Sequence, residues 1–540
     1  MGAAASPGRS LTPAGRRGRW WTIAGGAVAA LAGTVAAVRL LAPLPPLDGR
    51  EDSRAVSPDG DTSLGRAIGP EVRAHPGLTG LHLLREPLDA FAARVLLARA
   101  AERTLDVQYY IWNADQSGLW LMAEVVRAAD RGVRVRLLLD DNNTTGDDPL
   151  FAALASHPNI ELRLFNPFTV RRFRPLAYLA DFSRLNRRMH NKSLTADGVL
   201  TILGGRNVGD EYYGVRDEGS LMDLDVAAAG AAVADVQEQF DRYWASRSAY
   251  PADRILAPPP PDLLDRLRRG EPLDERRGPS GAYADAVGRS DFARAATSGD
   301  LELTWARARL LCDDPAKGLG QAPQEKRVWA ELDGVLRSAR SSLSLVSGYF
   351  VPARMGTDLL TSLARRGVDV RVLTNGFATT DVRIVHAGYV KRRDELLRAG
   401  VRLFELSSAE RLEGEDKAKR SGNAGSRFSG AGQGLHAKIF SVDRRRLFIG
   451  SFNFDPRSAA LNTEMGLLIE SEDLARTLDE GLRERLPGAT FEVKLDGDGG
   501  LRWTPVSDDG ARPTGREPGM SASDRLATGF LSLLPIDWML

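Results

Sequence analysis

The chain has 540 residues, which is enough for two or more domains with complete hydrophobic cores. Its 72 basic and 71 acidic residues give a net charge of +1, whereas a nucleic-acid enzyme usually carries a larger basic excess. The single cysteine, Cys312, excludes an intrachain disulfide. The six histidines show none of the short spacings typical of zinc sites, so we expect no metal and no other cofactor.

Residues 1–47 combine a basic segment with an apolar stretch. Trp20 to Val38 is 19 residues without a charge, preceded by Arg16, Arg17 and Arg19. As a helix it would be about 28 Å long, close to the hydrocarbon thickness of a bilayer. We predict a single-pass membrane anchor, with a cleaved signal peptide as the alternative. The basic cluster before it predicts that the catalytic body lies outside the cytoplasm.

The remaining chain is predicted to contain a linker (48–75), a first lobe (76–250), a connector (251–300), a second lobe (301–486), and a hairpin with an apolar tail (487–540). In the first lobe, residues 87–103 have a helical period and 104–112 are rich in aromatic and branched residues, as in a strand. A helix at 119–129 and a strand at 133–139 follow. This β-α-β alternation indicates a layered α/β domain.

The second lobe repeats this pattern. A strand at 342–350 and a helix at 357–366 precede Ala-Arg-Arg-Gly-Val-Asp-Val-Arg-Val-Leu at 364–373, which echoes residues 129–138. We therefore predict two similar α/β lobes. The connector contains four consecutive prolines at 258–261 and is expected to hold one short helix. Residues 407–434 are either a surface loop or a lid. The C-terminal tail, 530–540, is expected to pack on the body or to touch a bilayer.

One motif occurs twice. His190-Asn-Lys192-Ser-Leu-Thr-Ala-Asp197 is followed by Gly204-Gly205-Arg206-Asn207. The second copy is His436-Ala-Lys438-Ile-Phe-Ser-Val-Asp443, followed by Gly450-Ser451-Phe452-Asn453. Every matched position is 246 residues from its counterpart, so chance recurrence is a poor explanation.

Each copy has the pattern of a β-hairpin, with Asp197-Gly198 as the two-residue turn of the first. His190 and Lys192 then share one strand face, and Gly205 and Asn207 lie on the returning chain. The second copy places Ser451 and Asn453 likewise. Two imidazoles supply a nucleophile and an acid for a phosphodiester, and two ammonium groups supply positive charge for its oxygens without a metal.

This paired motif is typical of the phospholipase D superfamily, in which two copies meet at a pseudo-twofold axis. The sequence around the first copy (140–144, 165–168 and 181–192) also resembles the bacterial cardiolipin synthases of the C type, and the resemblance runs from about residue 76 to the C-terminus. It implies a covalent phosphatidyl-histidine. By the usual assignment in the family, His190 would be the nucleophile and His436 the acid and base, although the residues themselves leave the reverse open.

The resemblance also implies partners for the two rings. Asp223 and Glu464, which follow His190 and His436 by 33 and 28 residues, stand where the family places the carboxylates that orient these histidines, with Asp225 as the reserve choice. Asp197 and Asp443, the last residues of the motif, are expected to hold the hairpin turns. His386 either lines the pocket or has a structural role. The aromatic residues at strand ends are expected in an acyl-chain groove or in the core, namely Tyr109, Tyr110, Trp112, Tyr349 and Phe350.

The resulting hypothesis is a bacterial inner-membrane phosphatidyltransferase. It would move a phosphatidyl group from a donor phospholipid, possibly phosphatidylethanolamine, to phosphatidylglycerol. The alternatives are a phospholipase D hydrolase with water as acceptor, a phosphodiester nuclease, which the anchor and the balanced charge disfavour, and an inactive membrane scaffold. The completeness of both motifs disfavours the scaffold. We expect phospholipids and the membrane as partners, and no nucleic acid.

Overall fold

The computed structural model describes residues 13–57, 60–215, 220–271, 281–298, 300–380, 382–407, 434–506, 512–534 and 537–539. Nearly all of the predicted loop or lid at 407–434 therefore lies outside the described residues. Contacts between Cα atoms divide the chain into two compact units, the smaller one made of residues up to 46 together with 168–186. The larger unit contains both motifs.

The strands are β1 Thr79–Leu84, β2 Thr104–Tyr109, β3 Arg134–Asp140, β4 Ile160–Phe165, β5 Ser193–Ala196, β6 Leu200–Gly204, β7 Asp225–Gly230, β8 Ala249–Pro251, β9 Thr304–Cys312, β10 Ser342–Ser347, β11 Asp369–Asn375, β12 Arg402–Leu406, β13 Lys438–Val442, β14 Arg446–Gly450, β15 Met465–Glu470, β16 Thr490–Leu495 and β17 Leu501–Pro505.

The α-helices are α1 Pro13–Leu41, α2 Ser63–Ala74, α3 Pro87–Ala100, α4 Gln116–Asp130, α5 Asp148–Ala155, α6 Arg174–Ala180, α7 Phe182–Leu185, α8 Asp210–Tyr213, α9 Ala231–Trp244, α10 Leu263–Arg269, α11 Gly281–Gly288, α12 Asp291–Ser298, α13 Val328–Arg337, α14 Ala353–Arg365, α15 Arg383–Arg398, α16 Pro456–Ala460, α17 Glu472–Arg485 and α18 Ala522–Ser532.

In the smaller unit, α1 contacts α6, and the Arg39 Nε donates a hydrogen bond to the Ala180 carbonyl at 2.9 Å. α1 includes the stretch predicted as a membrane anchor. In the part of the chain that the structure describes, however, no helix combines the length and the apolar character needed to span a bilayer. The predicted anchor is therefore wrong. The prediction that the catalytic body lies outside the cytoplasm depended on this anchor and loses its basis. The physical reason is composition: ten of the 19 uncharged residues are alanine or glycine, which favour insertion far less than leucine or isoleucine.

The first lobe is one sheet in the order β8–β4–β3–β2–β5–β6–β7–β1. The neighbours β2, β3 and β4 run parallel, and the other pairs are antiparallel. The second lobe repeats the arrangement as β17–β16–β12–β11–β10–β13–β14–β15, with β10, β11 and β12 parallel. This confirms the predicted pair of similar α/β lobes.

Strand β9 joins the two sheets. Its first residues, 304–306, pair with β1, and residues 307–312 pair with β15. An apolar core of residues from both sheets, including Leu203, Val226, Ile449 and Leu467, is buried in the same region. The two motifs, which lie 246 residues apart in the chain, are thereby held against each other.

Two predicted connecting regions contain more structure than expected. Residues 48–57 lie along β3 and β4 because Asp52 pairs with Arg163 at 2.8 Å and the Ser53 carbonyl accepts a hydrogen bond from Arg136 at 2.8 Å. The predicted linker also includes α2. The connector carries three described helices rather than one, since Leu267 and Phe292 are apolar enough to be buried in the core of the first lobe.

Candidate active site

Both motifs fold as the predicted hairpins. β5 pairs with β6 and β13 with β14, and three residues, 197–199 or 443–445, connect the paired strands instead of the predicted two. Asp197 and Gly198 have φ values of 53° and 66°, and Asp443 and Arg444 both have φ of 54°. Positive φ at two successive turn positions is characteristic of the tight turn that matches the twist of paired strands. The histidine and lysine of each motif immediately precede or begin the first strand of each hairpin.

The motif aspartates serve the backbone and not the rings. The Asp197 carboxylate accepts hydrogen bonds from the N–H groups of Arg103 and Thr104 at 2.8 and 3.0 Å. Asp443 accepts from the N–H groups of Ser341 and Ser342 at 2.7 and 3.1 Å. Each aspartate thus fixes the start of the strand that pairs with its hairpin, β2 or β10. Both aspartates lie in the hairpin turns, but their carboxylates hold the neighbouring strand.

His190 is held by the opposite lobe. Its Nδ1 lies 2.8 Å from Glu464 Oε2 and 3.1 Å from the Ser451 carbonyl oxygen. Glu464 is fully buried, and Ser451 Oγ donates to the same Oε2 at 2.5 Å. Because both partners of Nδ1 are acceptors, the proton resides on Nδ1 and leaves the lone pair on Nε2.

His436 is held in the reverse sense, by the first lobe. Its Nδ1 lies 2.6 Å from Asp223 Oδ2. Asp223 Oδ1 accepts a hydrogen bond from the N–H of Leu224, and the buried Arg206 donates to the Asp223 carbonyl at 2.6 Å. Each lobe therefore orients the ring of the other, and the expected pairing of Asp223 with His190 and of Glu464 with His436 is wrong. The reserve candidate, Asp225, instead forms a buried ion pair with Arg94 at 2.8 Å.

Gly205 and Ser451 occupy equivalent positions with different consequences. A Cβ added at Gly205 would lie 2.1 Å from Asp223 Oδ1, so only glycine fits beside the shorter acid. On the other side, the Ser451 hydroxyl fills the equivalent space and bonds Glu464. The two sites thus bring a carboxylate to the imidazole Nδ1 in different ways. One combines glycine with aspartate, and the other combines serine with glutamate.

The two lysines are buried beside the rings. Lys192 Nζ donates to the His190 carbonyl at 2.6 Å, and Lys438 Nζ donates to the His436 carbonyl. Lys192 also lies over the Tyr110 ring, 5.4 Å from its centre. Burial lowers the pKa of Lys192 well below its usual value, and Lys438 lowers it further. The two ammonium groups thus affect each other, which indicates that both lie near one position.

The electrostatic environments of the rings are similar, whereas those of the carboxylates differ. Burial lowers the pKa of His190 well below its usual value, and the charges of Lys192 and Lys438 add to this effect. Burial and Lys438 lower the pKa of His436 to about 4, against the opposing influence of Asp223. Both rings are therefore neutral at pH 7 in the free protein, as a nucleophilic imidazole must be.

Burial raises the pKa of Glu464 to about 7, although Lys192 and Ser451 oppose the shift. For Asp223, burial alone would raise the pKa, but contact with His436 and the charge of Lys438 hold it well below its usual value. One orienting carboxylate is thus close to its titration point at neutral pH, and the other is fully ionised.

The two motif asparagines, both expected at the phosphate, differ in their contacts. Asn207 is engaged at both ends of its amide: Oδ1 accepts from the N–H of Ile111 at 3.3 Å, and Nδ2 donates to Tyr212 OH at 2.9 Å. Asn453 is buried, and its Oδ1 has no hydrogen-bond partner among the described residues. Asn207 therefore positions Tyr212, and Asn453 retains an acceptor for a ligand.

Sequence reasoning missed part of the surroundings of the site. Tyr110 lies edge-on to His190, with ring centres 5.0 Å apart, and Tyr212 and Tyr349 contact His436 at 5.3 and 6.5 Å. Tyr110 and Tyr349 were expected only as groove or core residues, and Tyr212 carried no signal. Among the other aromatic candidates, Tyr109, Trp112 and Phe350 are core residues.

A buried ion pair behind the first motif was also missed. Asp140 pairs with Arg188 at 2.8 Å and accepts a hydrogen bond from the N–H of Met189 at 2.7 Å, which fixes the chain entering His190. His386, the remaining candidate, is buried and lies 2.6 Å from Glu517 of the C-terminal segment. Among the described residues, no group of three or more acidic, histidine or cysteine side chains is arranged to hold a metal.

Comparison with known proteins agrees with this geometry. The family described as "Cardiolipin synthase, PLD-like domain" matches twice, at residues 96–244 and 332–486. Cardiolipin synthase C of Escherichia coli is 45% identical over 482 residues, covering 88% of this chain and 99% of that relative. Cardiolipin synthase A of Pseudomonas syringae is 25% identical over 418 residues, and the match covers 76% of this chain and 70% of that relative.

A solved structure shares the fold. Phosphatidylserine synthase of Haemophilus influenzae superposes with a TM-score of 0.51 at 14% identity, covering 80% of this chain and 92% of that one. Together, the duplicated sheet, the paired histidines and these matches define a phospholipase D-like phosphodiester site. The chain belongs to the phospholipase D-like cardiolipin synthase family.

Proposed function

We propose that the protein is a phosphatidyltransferase of the cardiolipin synthase type, which transfers a phosphatidyl group to phosphatidylglycerol through a phosphatidyl-histidine. The observation that carries this proposal is the crossed pair of contacts, Glu464 to His190 and Asp223 to His436. It directs two neutral rings, each with its Nε2 free of the orienting contact, toward one site with two lysines. Phosphatidylethanolamine is the proposed donor, and a membrane surface is the proposed source of both lipids.

In the first step, His190 Nε2 attacks phosphorus and the bond from phosphorus to the donor's head-group oxygen breaks. His436, which takes up a proton on Nε2 when substrate binds, gives this proton to that oxygen, and a small alcohol leaves. In the second step, His436 takes the proton of the acceptor hydroxyl, whose oxygen attacks phosphorus and releases His190. Lys192 and Lys438 stabilise the charge on the non-bridging oxygens.

The different carboxylates support this assignment of roles. The acid and base must carry a proton between steps, and an ionised Asp223 stabilises the imidazolium of His436. In the free protein the pKa of His436 is about 4, because it is buried next to Lys438. A bound phosphodiester brings a negative charge that offsets the lysines, so we expect substrate to raise the pKa of His436.

The test is product analysis with purified protein. It is incubated with labelled phosphatidylglycerol, with and without phosphatidylethanolamine, and separately with single-stranded DNA. We expect cardiolipin. His190→Ala and His436→Ala should each lower the rate at least ~10³-fold, while His75→Ala, which changes a half-buried histidine far from either motif in sequence, should leave it unchanged.

Phosphatidic acid as the main product would make the protein a hydrolase, and cleaved DNA would make it a nuclease. The absence of any product would contradict the proposal. Intact-mass analysis assigns the roles, because only His436→Ala retains the nucleophile and can accumulate the covalent adduct. An adduct on His436 in His190→Ala would reverse them.

A further inference from the structure

A cavity of about 380 Å³ lies against the second lobe's sheet, beside the segment around His436 and beside Asp223, the acid that contacts this histidine. On the side of the second lobe, its walls are mainly apolar side chains from three strands and one helix, and residues 85–87, 206 and 220–224 of the first lobe line the other side. The apolar walls include Val346 on β10, Leu373 on β11, Ile439 on β13, and Leu478 and Leu482 on α17. Its volume falls within the range of ligand pockets, roughly 300–1,000 Å³.

The equivalent region of the first lobe is built differently. Strand pairing sets the correspondence: Gln108 pairs with Leu138 and Ser193 as Val346 pairs with Leu373 and Ile439. The apolar walls Val346 and Ile439 of the cavity thus replace Gln108 and Ser193. By the motif spacing, Ala437, another wall, replaces Asn191.

The first lobe fills this space with large side chains. α9 supplies Phe240, Tyr243 and Trp244, all buried, and Tyr243 OH donates to the Asp313 carbonyl at 2.9 Å. Asn191 Oδ1 accepts a hydrogen bond from Thr463 at 3.1 Å. The cavity is therefore a difference between two copies of one design, and not a feature of the fold itself.

Gly481 helps to keep the cavity of the second lobe open. It lies within α17 and lines the cavity, where the absence of a side chain weakens the helix relative to alanine. Its backbone does not require glycine, because its φ is not positive and a Cβ added there would meet only Arg85 Nη1, at 3.9 Å.

The mouth of the cavity is cationic at Arg85. This side chain is exposed and makes no hydrogen bond or ion pair with the described residues. Arg206, also at the cavity, is engaged with the carbonyl oxygens of Leu84, Arg85 and Asp223. Glu86 lies at the mouth as well, while the interior contains mainly apolar side chains. An apolar interior beside a guanidinium fits a long hydrocarbon chain attached to an anion.

We propose that this cavity binds one acyl chain of an anionic phospholipid, with its phosphate at Arg85, at a site separate from the reacting phosphate. The choice of a phospholipid rests on the proposed function. The binding itself is measured without turnover, so the two proposals can fail independently.

The experiment uses the full-length protein and phosphatidylglycerol with a diazirine at the end of one acyl chain. After irradiation, the labelled peptides are mapped. We expect label on β10, β11, β13 and α17. Gly481→Phe should lower this labelling at least tenfold. The matched control is Gly334→Phe, since Gly334 is an exposed glycine within α13 with no atom near its Cβ position, and it should keep the label.

Val346→Phe fills the cavity from the sheet and provides a second variant if Gly481→Phe does not fold, as judged by thermal melting. Arg85→Glu should remove the preference for phosphatidylglycerol over a zwitterionic phosphatidylcholine probe. Label that maps elsewhere, or that a folded Gly481→Phe or Val346→Phe retains, would overturn the proposal. Labelling by a diazirine fatty acid with none by the phospholipid would overturn the choice of occupant.

Discussion

The two histidines of the site have the same contacts in outline but different acids behind them. Asp223 is ionised and pairs with a glycine, whereas Glu464 titrates near pH 7 and bonds a serine hydroxyl. A duplicated site with identical halves would give both rings the same proton affinity. The two nearly symmetric halves therefore differ in the way that the proposed separate roles of the two rings require.

The largest expected effect comes from exchanging each acid for its amide. Asp223→Asn removes the negative charge that stabilises protonated His436 and allows the wrong tautomer, so we expect a rate loss of about 10²–10⁴-fold. Glu464→Gln should cost only roughly tenfold, because Glu464 is already partly neutral at pH 7. Initial rates of cardiolipin formation measure both. Equal losses of rate in the two variants would show that Asp223 and Glu464 have the same role.

The next comparison exchanges the small residues. Gly205→Ser would place a Cβ 2.1 Å from Asp223 Oδ1 and should displace that carboxylate, with a loss approaching that of Asp223→Asn. Ser451→Gly removes one hydrogen bond to Glu464 and should destabilise the protein by about 1–3 kcal/mol while sparing most activity. Rates and urea unfolding distinguish the two. A fully active Gly205→Ser would contradict the close packing at Asp223.

Glu464 also predicts a conflict between stability and activity. Its pKa of about 7 lies above the ordinary value, so the folded protein binds a proton that the unfolded chain has released, and stability falls as pH rises from about 4.5 to 7. By this linkage the loss approaches ~3 kcal/mol at pH 8. Activity should rise over the same range, because the ionised acid is the better acceptor for His190.

Glu464→Gln provides the control for this conflict. It should flatten both profiles near pH 7 and be more stable than the wild type at pH 8, as measured by chemical unfolding and initial rates across pH. Unchanged profiles in this variant would assign the titration to another group.

The smallest expected effect is a shift in one ring's pKa. After burial, Lys438 is the largest cause of the lowered pKa of His436, and Lys192 contributes less. Lys438→Met should therefore raise the pKa of His436 more than Lys192→Met does. NMR titration of the His436 ring in the absence of substrate measures its pKa in each variant. A larger increase in Lys192→Met would contradict the assignment of Lys438 as the lysine with the stronger influence on His436.

Much of this site could be predicted from the sequence, because its chemistry is carried by repeated local patterns. The two hairpins follow from turn residues and alternating strands, and the carboxylates Asp223 and Glu464 follow from family resemblance. The exchange of partners between lobes was not predicted, because it depends on how β9 brings the sheets together. Tyr212 was missed because its role comes from one hydrogen bond to Asn207.

The anchor was the clearest error. Charge-free length suggested a membrane span, yet alanine and glycine make a helix long without making it strongly apolar. Residues 48–57 show the opposite problem: their acidic and polar character suggested a linker, but matching arginines on β3 and β4 bind them to the first lobe. Local composition does not indicate this second outcome, since it depends on the partner surface.

The reciprocal orientation of the rings has a consequence for how the enzyme could lose or regain function. A small slide of one sheet along the other would disconnect both imidazoles from their acids together, and no partly working form with one intact ring would remain. Alignment of the lobes is thus an all-or-none condition for turnover, and a protein cut within the connector could recover activity only by rebuilding both contacts at once.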